Sequence, residues 1–168
     1  MIVRISEIPD EGLQIDSAAD LGPVFSEEGW SLDRVRLLIE RRSGEVSVTG
    51  RCQATARLQC SRCLEVLVTQ VGPEVDLHLL PSPANRHEEI ELGPDDLEVD
   101  FYHGDTLDVG GLLRSETLLA LPMKPLCRAD CRGLCPVCGG NRNLTACACE
   151  VRAIDPRLAP LEALRRRP

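Results

Sequence analysis

The sequence predicts an α+β fold: an antiparallel β-sheet with one or two helices, followed by a C-terminal Cys-rich knuckle. Three observations predict it. Apolar residues alternate along two long runs between Val46 and Leu79, the period-two signature of half-buried strands. Asp108 precedes a leucine-rich stretch that stops at Pro122, which reads as one capped helix. Eight of the nine cysteines fall in close pairs, and without an export signal such pairs point to metal rather than disulfides.

Each element follows in order along the chain. Ile2, Val3 and Ile5 begin a first strand, and residues 10–28, polar with scattered Gly and Pro, read as loop. Val35 to Ile39 forms the next strand, closed by the turn signal Ser43-Gly44. Val46, Val48, Gly50, Cys52, Ala54, Ala56 and Leu58 hold alternate positions, and Leu64, Val66 and Val68 continue the alternation, as do Val75, Leu77 and Leu79. One face of each run is therefore expected to be buried. Cys60-Ser61-Arg62-Cys63 lies between the runs, at the tip of a β-hairpin.

An acidic loop occupies residues 81–96, and Leu97 to Tyr102 returns to the sheet. The helix spans 108–121, with Leu112, Leu113, Leu118, Leu119 and Leu121 as its apolar surface. Asp155-Pro156 is a second cap-and-first-turn signal, and Leu158, Leu161 and Leu164 form one face of a short last helix. These elements divide the chain into a β-rich domain at 1–126 and a Cys-rich segment at 127–168.

The net charge of −8 is unevenly spread: −5 over residues 1–80, −8 over 81–110 and +5 over 111–168. An acidic chain gains nothing from long-range steering toward phosphates. Four aromatic residues, Phe25, Trp30, Phe101 and Tyr102, leave base stacking on single strands almost nothing to work with. No apolar run approaches the ~20 residues of a membrane-spanning helix, so no membrane partner is expected. Residues 1–10 lack the basic-then-apolar pattern of a secretory signal. The chain reads as soluble and cytoplasmic.

The cysteine pairs are Cys60/Cys63, Cys127/Cys131, Cys135/Cys138 and Cys147/Cys149. In Cys135-Pro136-Val137-Cys138-Gly139 the Pro and Gly favour a tight loop whose amides point at sulfur, an arrangement that tunes metal sites. Soft thiolates at this spacing select Zn2+, with an iron–sulfur cluster as the alternative. A closed structural zinc site takes four ligands, so the eight cysteines suggest one or two ions. Cys135 and Cys138 would join Cys147 and Cys149, and Cys60 and Cys63 would meet Cys127 and Cys131. Four thiolates leave each site a formal −2. Arg62, Arg128, Arg132 and Arg142 stand between or beside the ligands. They read either as counter-charges to sulfur or, with Arg165 to Arg167, as a local patch contacting RNA phosphate. Cys52 alternates with apolar strand positions and reads as a small buried hydrophobe.

No P-loop, GxSxG or HExxH occurs, and His78, His87 and His103 hold no catalytic spacing. Thiolate-only sites are closed, so the chain reads as no enzyme, with no catalytic residue and no small-molecule substrate. A redox-sensitive zinc-binding switch or chaperone-like module is the alternative, since CxxC and CxC pairs can release zinc on oxidation. A DNA-binding finger lacks its basic recognition helix.

An ordered set of residues carries a resemblance. It begins with Gly50 and Cys60-Ser61-Arg62-Cys63-Leu64-Glu65, then Leu107-Asp108-Val109-Gly110 and Leu118-Leu119-Ala120-Leu121-Pro122. It continues through Pro125-Leu126-Cys127, Cys131 to Gly139, Asn141 to Asn143, and Asp155-Pro156-Arg157 with Leu161 and Leu164. In these residues, over roughly 35–168, the chain resembles a family formerly catalogued only as a domain of unknown function. Its bacterial and plastid members are named large ribosomal RNA subunit accumulation proteins. The resemblance implies a role in making or preserving 23S ribosomal RNA. It implies a large ribosomal subunit precursor as partner, met through its RNA, a ribosomal protein or a processing factor. Some relatives keep the first CxxC but lack the later knuckle, which implies that the knuckle serves stability.

Overall fold

A computed structural model of the chain describes residues 1–82, 99–149 and Arg157. In chain order the elements are β1 (Ile2–Arg4), a 3-10 turn (Ile5–Glu7), β2 (Leu13–Ile15), α1 (Ala18–Leu21), β3 (Ser31–Arg42) and β4 (Glu45–Gln59). They continue with β5 (Val66–Val71), β6 (Glu74–Pro81), β7 (Val99–Tyr102), β8 (Thr106–Asp108) and α2 (Val109–Leu119). The chain divides into two units. One holds Met1–Leu58 and Val68–Met123; the other holds Gln59–Leu67 and Lys124–Pro168.

The first unit is built on β3 and β4. Ser43 (φ 50°) and Gly44 (φ 90°) both turn left-handed, so Arg42 faces Glu45 directly across a two-residue hairpin turn. β2 extends this pair at β3, β6 and then β7 extend it at β4, and β5 also pairs with β4. β1 and β8 form a separate two-stranded antiparallel sheet. The core joins Val35, Leu37 and Ile39 of β3 to Val46, Val48 and Cys52 of β4, with Val75, Leu79, Val109 and Leu113 packed against them. Gly50 has no substitute here: at φ 144° a Cβ would lie 2.1 Å from the Arg36 carbonyl oxygen.

The β2–β3, β3–β4 and β4–β6 pairs are antiparallel, whereas β6 and β7 run parallel, His78 to Pro81 beside Val99 to Tyr102. A parallel pair requires a long connection, and the acidic segment supplies it. Residues 83–98 of that connection, and with them most of the expected acidic loop at 81–96, lie outside the described residues. So do the cap Asp155-Pro156, the last-helix leucines Leu158, Leu161 and Leu164, and Arg165 to Arg167.

Three local expectations need correction. Residues 10–28 are not all loop. Leu13 and Ile15 pair with Ile39 and Leu37, and Ser17 caps α1 by accepting from the Ala19 N–H at 3.2 Å. A three-residue strand shows no period in sequence; the ladder on β3 stabilises it.

The buried residues of α2 are Val109, Gly110, Leu113 and Thr117, while Leu118 and Leu119 point outward and Leu119 is 79 % exposed. Asp108 does cap this helix, its carboxylate accepting from the Gly111 N–H at 3.1 Å. The helix ends at Leu119, two residues before the expected boundary. Buried Thr117 donates to the Leu113 carbonyl at 2.7 Å, so its hydroxyl carries no desolvation penalty.

In β5 the alternation faces the other way: Leu67, Thr69 and Val71 are half-buried, and Leu64, Val66 and Val68 are exposed. Val66-Leu67-Val68 is apolar at both parities, so its sequence does not specify a face.

Candidate metal centres

The second unit opens where β4 ends. Cys60 starts a tight loop: its carbonyl accepts from the Leu64 N–H at 3.0 Å and its own N–H donates to the Glu65 carbonyl at 2.9 Å. The same loop recurs at Cys135, whose carbonyl accepts from the Gly139 N–H at 2.9 Å and whose N–H donates to the Gly140 carbonyl at 2.8 Å. Each loop carries a CxxC and returns both sulfurs to one side.

Cys60, Cys63, Cys127 and Cys131 bring their four sulfurs within 4.8 Å of one another. Cys60 Sγ lies 3.8 Å from Cys131 Sγ, and Cys63 Sγ lies 3.6 Å from Cys127 Sγ. Both distances far exceed the ~2.05 Å of a disulfide. They match the edge of a tetrahedron whose metal–sulfur bonds are ~2.3 Å, about 3.8 Å. The donor set therefore fits a tetrahedral thiophilic cation. Cys60, Cys63 and Cys131 are buried, and the apolar side chains packed against them among the described residues are Leu67 and Leu126.

Hydrogen bonds hold this quartet from outside. The Ser61 N–H donates to the Pro125 carbonyl at 2.8 Å, and Arg62 Nη1 donates to the Cys131 carbonyl at 2.9 Å. Asn143 Nδ2 donates to the Cys131 sulfur at 3.2 Å. The Cys127 backbone N–H, joined by those of Arg62 and Cys63, brings the Cys60 thiol down to about 6 against the burial that raises it. Burial likewise raises Cys131, but the Asn143 amide and the Gly133 N–H bring it below the usual thiol range. Cys127 is exposed as a residue, yet its sulfur faces the other three. Desolvation, then the Cys63 and Cys131 sulfurs, push it up to about 12. Hydrogen bonds thus favour the thiolate at Cys60 and Cys131, while burial and the neighbouring sulfurs oppose it at Cys63 and Cys127. Four thiolates together require a cation.

Cys135, Cys138, Cys147 and Cys149 form the second quartet, again with all sulfurs within 4.8 Å. Only Cys135 is buried; Cys138 and Cys147 are exposed and Cys149 is intermediate. The backbone N–H groups of Cys138 and Val137 bring Cys135 down to about 6. Cys149 is pushed up to about 12, first by the Cys138 sulfur and then by burial.

The arginines have local partners of their own. Arg62 is committed to the Cys131 carbonyl, and Arg128 lies 3.6 Å from Asp130. Arg132 and Arg142 are exposed and give main-chain N–H groups to Asn143 Oδ1 and the Gly133 carbonyl. Cys52 stands apart in the first unit, buried 4.0 Å from the Thr117 hydroxyl, and burial raises its thiol. Sequence reasoning assigned no role to Asn141, Asn143 and Glu65. The signal for the first two was their Asn-x-Asn spacing, which lets Asn141 Oδ1 accept from the Asn143 N–H at 2.9 Å. In the first unit an open cavity of about 560 Å³ is lined by Asp16, Asp33, Arg34, Arg36 and Arg51, among others, without a paired nucleophile and base. No helix among the described residues is long and apolar enough to cross a membrane.

The profile of the family described as "Large ribosomal RNA subunit accumulation protein YceD" matches residues 48–165. An uncharacterised protein of Mycobacterium tuberculosis is 34 % identical over 143 residues, which cover 80 % of this chain and 62 % of that protein. The chloroplastic "Large ribosomal RNA subunit accumulation protein YCED homolog 1" of Zea mays is 26 % identical over 152 residues, 75 % of this chain and 51 % of that protein. The uncharacterised protein YlbN of Bacillus subtilis is 25 % identical over 171 residues, 97 % of this chain and 94 % of that protein. The chain spans about three fifths, 62 %, of the length of the Mycobacterium tuberculosis and Mycobacterium bovis relatives. No solved structure matches it.

Proposed function

Since the chain belongs to the YceD family of large ribosomal RNA subunit accumulation proteins, we propose that it supports accumulation of 23S ribosomal RNA and large-subunit assembly in the cytoplasm. In this reading it is a non-enzymatic factor whose second unit is held together by zinc on Cys60, Cys63, Cys127 and Cys131 and on Cys135, Cys138, Cys147 and Cys149. The observation that carries the zinc reading is the convergence of eight thiols into two quartets, with sulfur separations of 3.6 and 3.8 Å in the first.

Four sulfurs close the coordination sphere and leave no position for substrate. That supports a scaffold rather than a catalyst. The apolar packing around the first quartet is slight, so cohesion has to come from elsewhere. A structural zinc contributes about 10–16 kcal/mol in small finger peptides, more than such packing supplies. With a net charge of −8, unaided long-range capture of RNA is unfavourable. The favoured partner is a protein or a short RNA element of the large-subunit precursor.

Depletion of the protein tests the assignment: 23S ribosomal RNA falls and free large subunits decline. Unchanged RNA levels and subunit profiles would refute it. Capture of the tagged protein with and without ribonuclease separates an RNA partner from a protein one. Elemental analysis of reduced protein should give zinc; iron at comparable stoichiometry would favour a cluster instead.

Exposure of Cys138 and Cys147 favours one second reading, a redox-sensitive zinc site. Zinc kept after mild peroxide argues for the structural role; zinc released with disulfide formation argues for the switch.

A further inference from the structure

We propose that the two quartets take up metal cooperatively, with Asn143 as the positioning residue that couples them. The inference rests on the zinc reading above. Cys131 belongs to the first, more buried quartet, and four residues later Cys135 opens the second. The chain then folds back on itself. The Cys135 N–H donates to the Gly140 carbonyl at 2.8 Å, Leu134 bridges Asn141, and the Arg142 N–H donates to the Gly133 carbonyl at 3.0 Å.

At the end of this return Asn143 is fixed at three points. Its N–H donates to Asn141 Oδ1 at 2.9 Å, its Oδ1 accepts from the Arg132 N–H at 2.8 Å, and its Nδ2 donates to the Cys131 sulfur at 3.2 Å. A second link runs through Asn141, whose Nδ2 donates to Glu65 Oε1 at 3.1 Å, while the Glu65 carbonyl closes the Cys60 loop.

Asn141 and Asn143 lie between Cys138 and Cys147. Both of those cysteines are in the outer quartet. A cation there fixes both ends of the segment that presents Asn143; with the cation gone, the segment is a longer free loop and regains entropy. Hydrogen bonds to a ligating atom typically change metal affinity by 10–100-fold. Outer occupancy therefore strengthens the inner site through the amide on Cys131 Sγ. Linkage requires the reverse effect to be equal.

The test compares overall zinc affinity of the reduced full chain, measured by competition with a chromophoric chelator, with the product of two single-site affinities. An outer-disabled variant, Cys147→Ser with Cys149→Ser, gives the inner value. An inner-disabled variant, Cys60→Ser with Cys63→Ser, gives the outer one. The expected ratio of whole to product is about 10, and a ratio of one overturns the coupling. Should the inner-disabled variant fail to fold, Asn143→Ala in the intact and outer-disabled chains gives the same answer. About a tenfold loss in the first and none in the second supports the proposal; equal losses overturn it. Absence of zinc binding by the intact chain would instead refute the underlying zinc reading, so the two failures are distinguishable.

Discussion

Leu64 and Gly139 hold the same place in two copies of one turn. Each lies four residues after the cysteine that opens its loop, and each N–H closes on that cysteine's carbonyl, at 3.0 and 2.9 Å. Both are left-handed, at φ 62° and 72°. For Gly139 this conformation is free; for Leu64 it costs roughly 1–2 kcal/mol.

Opposite responses follow at these two positions. Leu64→Gly relieves the strain, and its greater unfolded-state entropy, about 0.5–1 kcal/mol, offsets part of the gain. The net is a stabilisation of about 0.5 kcal/mol, little of it lost to burial because Leu64 is 57 % exposed. Gly139→Ala meets nothing within 4 Å, so its loss is conformational: left-handed strain of about 1–2 kcal/mol, partly offset by lower unfolded-state entropy, leaves a net loss of about 0.5 kcal/mol. Thermal melting of zinc-loaded protein checks both; equal destabilisation by the two would contradict the shared turn.

Chelation should act on one unit. The single tryptophan, Trp30, lies in the first unit, where its indole N–H donates to the Arg57 carbonyl at 3.2 Å. That unit has its own aliphatic core. Zinc removal should leave Trp30 emission nearly unchanged while amide exchange rises over residues 59–67 and 124–149. Loss of the Trp30 signal in step with zinc would show that the first unit also depends on the metal.

Two leucines of α2 separate its faces. Leu113 is 1 % exposed and Leu119 is 79 % exposed. Leu113→Ala should cost about 2–5 kcal/mol, and Leu119→Ala should stay within about 0.5 kcal/mol. Denaturant unfolding measures the difference, and similar losses at both sites would place the helix face wrongly.

Acid should loosen the β1–β8 pair through Asp105. The Ser6 hydroxyl donates to one carboxylate oxygen and the Ser6 N–H to the other at 2.8 Å, holding this carboxyl below its ordinary range. A depressed folded pKa means that the stabilisation is fully present above the unfolded value, about 3.9, and is lost as pH falls through the folded one. Asp105→Asn should therefore flatten the acid limb of the melting temperature below about pH 4. An unchanged limb would assign the acid sensitivity to other carboxylates.

Much of this architecture was legible in local spacing. Val35 to Ile39, the alternation from Val46 to Ala56, the Asp108 cap and the two CxxC loops each declare themselves within a few residues. Each CxxC pair was legible because its loop returns both sulfurs to one side; Cys127/Cys131 and Cys147/Cys149 have other spacings, and the fold brings them to the same quartets. The supporting Asn143 amide was not legible, because nothing in Asn-x-Asn indicates which sulfur it will meet.

By itself, then, the sequence determined the long strands β3 and β4, the helix that follows Asp108 and the close cysteine pairs, because backbone dihedrals and side-chain period are local properties. Tertiary structure alone decided the rest. It stabilised the short β2 by pairing with β3, turned one face of Val66-Leu67-Val68 outward, and chose Leu113 over Leu119 for burial. It also brought Cys127 within 3.6 Å of Cys63. Those outcomes depend on free energies shared between residues far apart in the chain: ladder hydrogen bonds, excluded water and the mutual approach of sulfurs.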